Sequence, residues 1–196
     1  MRFLTLFAPV LLVLSLAGCA KKEALHGLAF QPPLPAPDFS LRDQNGRPFR
    51  MAEERGKAIL LFFGYTHCPD VCPATLASFK RVRSELGSQA GRVRFVFVTV
   101  DPERDTPERV KGFLEVAGEN DFLGLTGSRE DLEKVWKAYG VYVQKEGGET
   151  QDRGYSITHT ASVFLVDPEG RLRVMYSFGT DPRIIASDLR TILRGS

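Results

Sequence analysis

Cysteine is scarce in this chain: three in 196 residues, at positions 19, 68 and 72. The C-x-x-C of a thioredoxin-type redox motif is missing, because three residues separate Cys68 from Cys72 in "GYTHCPDVCP". A structural zinc site usually has four protein ligands, and the sequence does not cluster that many. A purely structural disulfide here would close a very small loop and contribute little chain entropy. Excess charge of either sign is also absent. With 26 Lys+Arg against 24 Asp+Glu, the formal net charge is +2, too little basic field to argue for a nucleic-acid partner. There is no internal repeat. What remains is an ordinary globular composition, 43% hydrophobic and 26% charged, long enough for one domain with a real core.

The N-terminus carries an apolar run, Phe3 to Leu16, after a single positive charge at Arg2. At about 14 residues it is short for a bilayer span and right for the hydrophobic part of a signal peptide. The sequence Leu16-Ala17-Gly18-Cys19 then resembles the lipobox of bacterial lipoproteins. That resemblance implies a signal peptide over residues 1–18 and lipidation of Cys19. The rest would sit at the extracytoplasmic face of the bacterial cell membrane, on the periplasmic side. An uncleaved anchor or a plain cleaved signal leads to the same compartment. Residues 19–37, with Pro32, Pro33, Pro35 and Pro37, read as a lipid-anchored, proline-rich tether in extended geometry. The folded domain is expected over residues 38–196. In an oxidising compartment the remaining thiols, Cys68 and Cys72, drift to a disulfide unless a reductant or a metal holds them.

Within the domain, "SLRDQNGRPFR" predicts two short strands around Asn45-Gly46. "KAILLFFGY" has the continuous apolar character of a buried central strand and runs straight into the cysteines. A helix is expected to open at Pro73, with Leu76, Phe79, Val82 and Leu86 on one face. "RVRFVFVTV" is a second buried strand. Two helices follow, with Thr106 and Ser128 as N-caps. "VYVQKE" and the pair around Asp167-Pro168-Glu169-Gly170 give three more strands, and a helix closes the chain. The order is a hairpin, β-α-β-α-α, a second hairpin and α. It predicts an α/β domain of three layers on a central mixed sheet. A cysteine pair just past the first long strand is where a thioredoxin-like fold places its active site.

At a helix start, Cys68 and Cys72 are expected to share one face as i and i+4. That spacing suits a disulfide or convergence on one metal ion. The first turn of a helix favours thiolate. Two thiolates can hold linear Cu(I), and an imidazole suits Cu(II). Of the three histidines, His26 falls in the expected tether and His67 adjoins Cys68. His159 precedes a strand in "YSITHTASVFLV", at about the place where a thioredoxin-like fold has its cis-proline. No proline occurs from Tyr155 to Val166. Asp70 either tunes the site or faces solvent, and Asp101 either caps the following turn or supports the site.

The stretches "GYTHCPDVCPATL", "VTVDPERDTPERV" and "YSITHTASVFLVDPEGRL" resemble the Sco/SenC family of membrane-tethered copper proteins, over about residues 36 to 194. The resemblance implies one copper ion, Cu(I) or Cu(II), bound by Cys68, Cys72 and His159. It implies a role in maturing the CuA site of cytochrome c oxidase subunit II, with another copper chaperone as donor. The alternative is a thiol–disulfide oxidoreductase in which Cys68 and Cys72 reduce the cysteines of the apo CuA site. No motif points to a peroxidase.

Overall fold

The computed structural model describes residues 24–117, 121–147 and 154–195. The expected signal peptide and Cys19 lie outside the described residues. Eight strands form one mixed sheet in the order β1-β10-β9-β4-β5-β6-β2-β3. Its centre is three parallel strands: β4 (Ala58–Gly64), β5 (Val93–Thr99) and β6 (Leu123–Thr126). The hairpin β2 (Ser40–Asp43) and β3 (Pro48–Arg50) joins antiparallel at β6. On the other side β9 (Val163–Val166), β10 (Arg171–Tyr176) and β1 (Leu28–Pro35) add antiparallel. Every residue of β4 is buried, as a strand with apolar side chains on both faces must be when layers cover both.

The two crossovers from β4 to β5 and from β5 to β6 move the same way across the sheet, so their helices share a face. These are α1 (Val71–Leu86) and α2 (Pro107–Val116). Phe95 meets Phe79 of α1, and Phe97 meets Phe113 of α2. The last helix, α4 (Pro182–Arg194), packs beside α1. On the opposite face Phe63 meets Tyr139, which ends α3 (Arg129–Ala138). Thr106 and Ser128 cap α2 and α3 as expected, their hydroxyls accepting the N–H of Arg109 and Asp131.

Four features differ from the sequence reading. First, the proline-rich stretch is not wholly a tether, because Leu28–Pro35 pairs with β10. Proline lacks a donor, but an edge strand needs its donors on one side only, and the register shifts between Ala29 and Leu34, across Pro32 and Pro33. Second, the sequence reading runs from one helix straight to the next, whereas the structure has a strand between them, β6, with Gly124 inside it. Gly124 is there for packing: a Cβ would lie 2.2 Å from Val110 Cγ1 of α2. The order is therefore β-α-β-α-β-α. Third, "VYVQKE" does not join the main sheet. β7 (Val143–Glu146) pairs with β8 (Ser156–His159) as a separate two-stranded hairpin. Fourth, α1 begins at Val71, two residues before Pro73.

Candidate metal centre

The early start of α1 separates the two thiols by environment. Cys72 is in the first turn and fully buried, whereas Cys68 lies in the preceding loop and is partly exposed. They do not share a helical face as i and i+4. Instead Cys68 folds back over the helix start, and its Sγ accepts the Cys72 N–H at 3.4 Å. Asp70 occupies the N-cap position but makes no side-chain cap bond, so sulfur does what a capping oxygen normally does. Both thiols are free of disulfide.

This geometry divides the proton between them unequally. The Cys68 thiol is pulled down to about 5, chiefly by the hydrogen bond from the Cys72 side chain. The backbone N–H groups of Asp70, Cys72 and Val71 add to the effect and burial opposes it. Cys72 is pushed up, first by its bond to the Cys68 thiolate and then by burial. One sulfur is thus a thiolate at the mouth of the site, and the other a thiol behind it.

The third group arrives from the separate hairpin. His159 ends β8, and its Nε2 lies 3.8 Å from Cys72 Sγ. Its Nδ1–H donates to Thr160 O at 3.2 Å. That bond fixes the tautomer and leaves Nε2 as a lone-pair donor facing the thiols. Burial lowers the pKa of the ring, which keeps it neutral, against the hydrogen bond to Thr160 and the Cys68 charge. The rings of Phe62 and Tyr65 meet the imidazole edge-on at 6.1 and 5.9 Å between centroids. Behind Cys72 the strand comes close: a Cβ on Gly64 would lie 2.8 Å from Cys72 Sγ. His159 therefore approaches Cys72, while Cys68 reaches the same helix start through the Cys72 N–H; two soft sulfurs and one neutral imidazole are a donor set whose chemistry suits copper in either oxidation state.

His67 is not part of this set. Its Nδ1 bonds Thr66 Oγ1 and sits 3.9 Å from Asp105 Oδ1. His26 is remote, bonded through Nδ1 to Asp188 on α4. Asp101 closes the following turn, as one of the two readings expects. Its carbonyl closes the turn to Arg104 and Asp105, and its carboxylate holds Arg104 Nε and the Tyr155 hydroxyl. Sequence reasoning missed Asp105. This fully buried carboxylate accepts from Thr66 N–H, Thr66 Oγ1 and Thr99 Oγ1, anchoring the loop that leads to Cys68. Burial raises its pKa against those hydrogen bonds. His67, Asp101 and Asp105 each bring a ligand atom within 4.8 Å of the others, but both carboxylates are already occupied by these bonds. Arg104, Tyr65 and Tyr155 were missed as well. The one signal was a charged loop, "DPERDTP", straight after a buried strand.

The family model for SCO1/SenC matches residues 31–194. The chain belongs to the SCO1/SenC family. It is 37% identical over 159 residues to the mitochondrial SCO2 homolog of Bos taurus, covering 78% of this chain and 58% of that protein. The chain thus spans less than two thirds of that relative's length. ScoI of Bradyrhizobium japonicum, solved with copper bound, superposes with a TM-score of 0.73 at 38% identity, covering 80% of this chain and 98% of that one. A SCO1/SenC family lipoprotein from Bacillus anthracis str. Ames gives 0.71 at 28% identity, covering 84% and 99%. For this SCO1/SenC chain the thioredoxin-like fold expected from the place of its cysteine pair therefore holds.

Proposed function

We propose that this chain is an extracytoplasmic copper metallochaperone. It binds one copper ion through Cys68, Cys72 and His159 and helps mature the CuA site of cytochrome c oxidase subunit II. The observation that carries the reading is the approach of a neutral imidazole to the thiol pair, with Nε2 at 3.8 Å from Cys72 Sγ. The copper-bound ScoI structure supports copper as the cargo. The lipobox-like Leu16–Cys19 and the Bacillus lipoprotein support an anchor at Cys19. Among the described residues no helix is long and apolar enough to cross a membrane.

Two measurements test it. Copper titrated into the reduced protein should bind one to one, and His159→Ala should weaken uptake. Copper-loaded protein mixed with an apo CuA domain should then generate the purple absorption of that site. Absence of stoichiometric uptake sinks the ligand assignment, and stable uptake without transfer sinks the chaperone role.

One observation favours a second reading, thiol–disulfide exchange. A partly exposed thiolate at about 5 stands in front of a buried thiol. In that role Cys68 S⁻ attacks one sulfur of the partner's disulfide and expels the other as thiolate. Cys72 then loses its proton and attacks the mixed disulfide at Cys68. Two electrons pass to the partner, and this chain is left with a Cys68–Cys72 disulfide. The reduction potential of the pair and its exchange rate with oxidised apo CuA domain decide. An inert pair rules this role out.

A further inference from the structure

The imidazole that completes the triad does not come from the main sheet. β7 and β8 pair with each other as a hairpin of their own, so the place of His159 depends on what fastens that hairpin to the body. At its His159 end the hydrogen bonds between Tyr142 and Thr160 stay within the β7–β8 arm. The body holds β8 at two places: the buried Ile157 N–H donates to the Tyr65 hydroxyl at 3.5 Å, and Tyr155, four residues before His159, is held at the start of the strand. There the segment between β5 and α2 grips this one residue in three ways, two through its side chain and one through its backbone carbonyl. The Arg104 guanidinium lies over the Tyr155 ring, with Cζ 3.6 Å from the centroid. Arg104 Nη1 donates to Tyr155 O at 2.9 Å. The Tyr155 hydroxyl donates to Asp101 Oδ1 at 2.6 Å, and Arg104 Nε donates to Asp101 Oδ2.

Asp101 is buried, and Arg104 is mostly covered. Charge-assisted bonds and cation–π contacts gain strength when desolvated. A second layer is weaker because it is exposed: Lys145 bonds Glu103 and covers the Tyr155 ring. The same Arg104 Cζ lies 5.9 Å from the Tyr65 ring, whose edge meets His159. The bonds of Asp101, Arg104 and Tyr155 described above do not reach a thiol, whereas the Tyr65 backbone bonds Cys72.

We propose that Asp101, Arg104 and Tyr155 are positioning residues, a latch that holds His159 as the third copper ligand. The proposal rests on the reading that Cys68, Cys72 and His159 bind copper. Its consequence is selectivity between oxidation states. Two thiolates satisfy Cu(I) in linear coordination, whereas Cu(II) gains from the imidazole. With the latch closed the site takes either ion. With it open the hairpin carries His159 away, and a two-sulfur Cu(I) site remains.

The test uses the reduced intact chain and five proteins: wild type, Tyr155→Phe, Arg104→Gln, His159→Ala, and Lys134→Gln as a control on the exposed face of α3. Cu(I) affinity is read by competition with a chelator, Cu(II) affinity by titration, and imidazole ligation by nitrogen hyperfine coupling in pulsed electron paramagnetic resonance. Supporting groups around metal ligands typically matter about 10- to 100-fold in affinity. Arg104→Gln should lose Cu(II) affinity in that range, and Tyr155→Phe, which keeps the ring under Arg104, toward its lower end. Both should weaken the nitrogen coupling and keep Cu(I) affinity at the wild-type level. Should Arg104→Gln fail to fold, Tyr155→Phe decides alone.

A merely structural role would instead lower both affinities together, and that result overturns the proposal. Wild-type Cu(II) binding and coupling in the latch variants, with both lost in His159→Ala, overturns the latch and leaves the copper triad standing. Wild-type behaviour in His159→Ala overturns the triad, and the latch with it.

Discussion

Cys68 and Cys72 are the same residue type four positions apart, and the fold gives them opposite chemistry. The Cys72 thiol and three backbone N–H groups serve Cys68, whereas Cys72 is buried and faces a thiolate. Because the Cys68 thiolate is stabilised by the fold, its contribution to stability is full above the ordinary thiol range and is lost as the pH falls through about 5. Its alkylation should therefore rise with pH around 5 and then stay level to pH 8, with Cys72 unmodified over that range. Peptide mass mapping after timed iodoacetamide pulses checks this. A rate still climbing between pH 7 and 9 would mean an ordinary thiol. Behind the pair, Gly64 is the close-approach residue. Gly64→Ala would place a Cβ 2.8 Å from Cys72 Sγ and from the Phe62 ring. Overpacking of this kind costs about 1–3 kcal/mol, and here the strain falls on a thiol of the proposed copper site. Denaturant unfolding should show the loss, and copper affinity should drop with it. Cys68, Cys72 and His159 could be singled out because the chain has only three cysteines and three histidines, and the family resemblance chose among them. Asp105, Arg104, Tyr65 and Tyr155 were not singled out, because acids, bases and tyrosines are common and only the tertiary contacts assign these their work.

Elements with long uninterrupted patterns were legible: β4, β5, and the helices with hydroxyl caps. Those that failed were short or carried residues whose usual meaning is a turn. β6 holds Gly124 because α2 packs onto it, and β8 is four residues of a small hairpin. The start of α1 was misread for a related reason. Proline usually marks the first helical residue, but here Pro73 is the third, and the start is capped by the Cys68 sulfur. A comparison of caps tests this. Ser128→Ala removes a hydroxyl that accepts the Asp131 N–H, and should cost about 1 kcal/mol in urea unfolding. Asp70→Ala removes a side chain with no cap bond, and should cost clearly less under reducing conditions. Equal losses would show that the carboxylate of Asp70, not sulfur, caps α1.

For the molecule as a whole, the unexpected boundary is at the N-terminus. The segment read as a tether up to residue 37 closes the edge of the eight-stranded sheet as β1, and a clasp holds its start. His26 binds Asp188 of α4 twice, through its backbone N–H at 3.0 Å and its ring Nδ1 at 2.6 Å. Asp188 is almost wholly buried and also accepts the Tyr176 hydroxyl at 2.8 Å. Next to it Gly27 passes so close to Val174 and Tyr176 that a Cβ would collide at 2.3 Å. Farther along, Tyr139 donates its hydroxyl to Pro37 O at 3.0 Å. Proline content suggested a spacer, whereas these contacts with α4, β10 and the end of α3 make the segment part of the domain. A chain beginning at residue 38 therefore exposes the β10 edge and leaves the Asp188 carboxylate with Tyr176 alone. The second effect by itself costs about 1–3 kcal/mol, and each kcal/mol lowers the melting temperature of a domain this size by about 2–4 °C. Thermal unfolding of chains beginning at residues 24 and 38 should show the shorter one melting several degrees lower. His26→Ala in the longer chain should reproduce part of that loss, because its backbone N–H still reaches Asp188. Equal melting temperatures for the two chains would return residues 24–37 to the status of a tether, and the proposed copper site would then sit on a domain that needs no N-terminal strand.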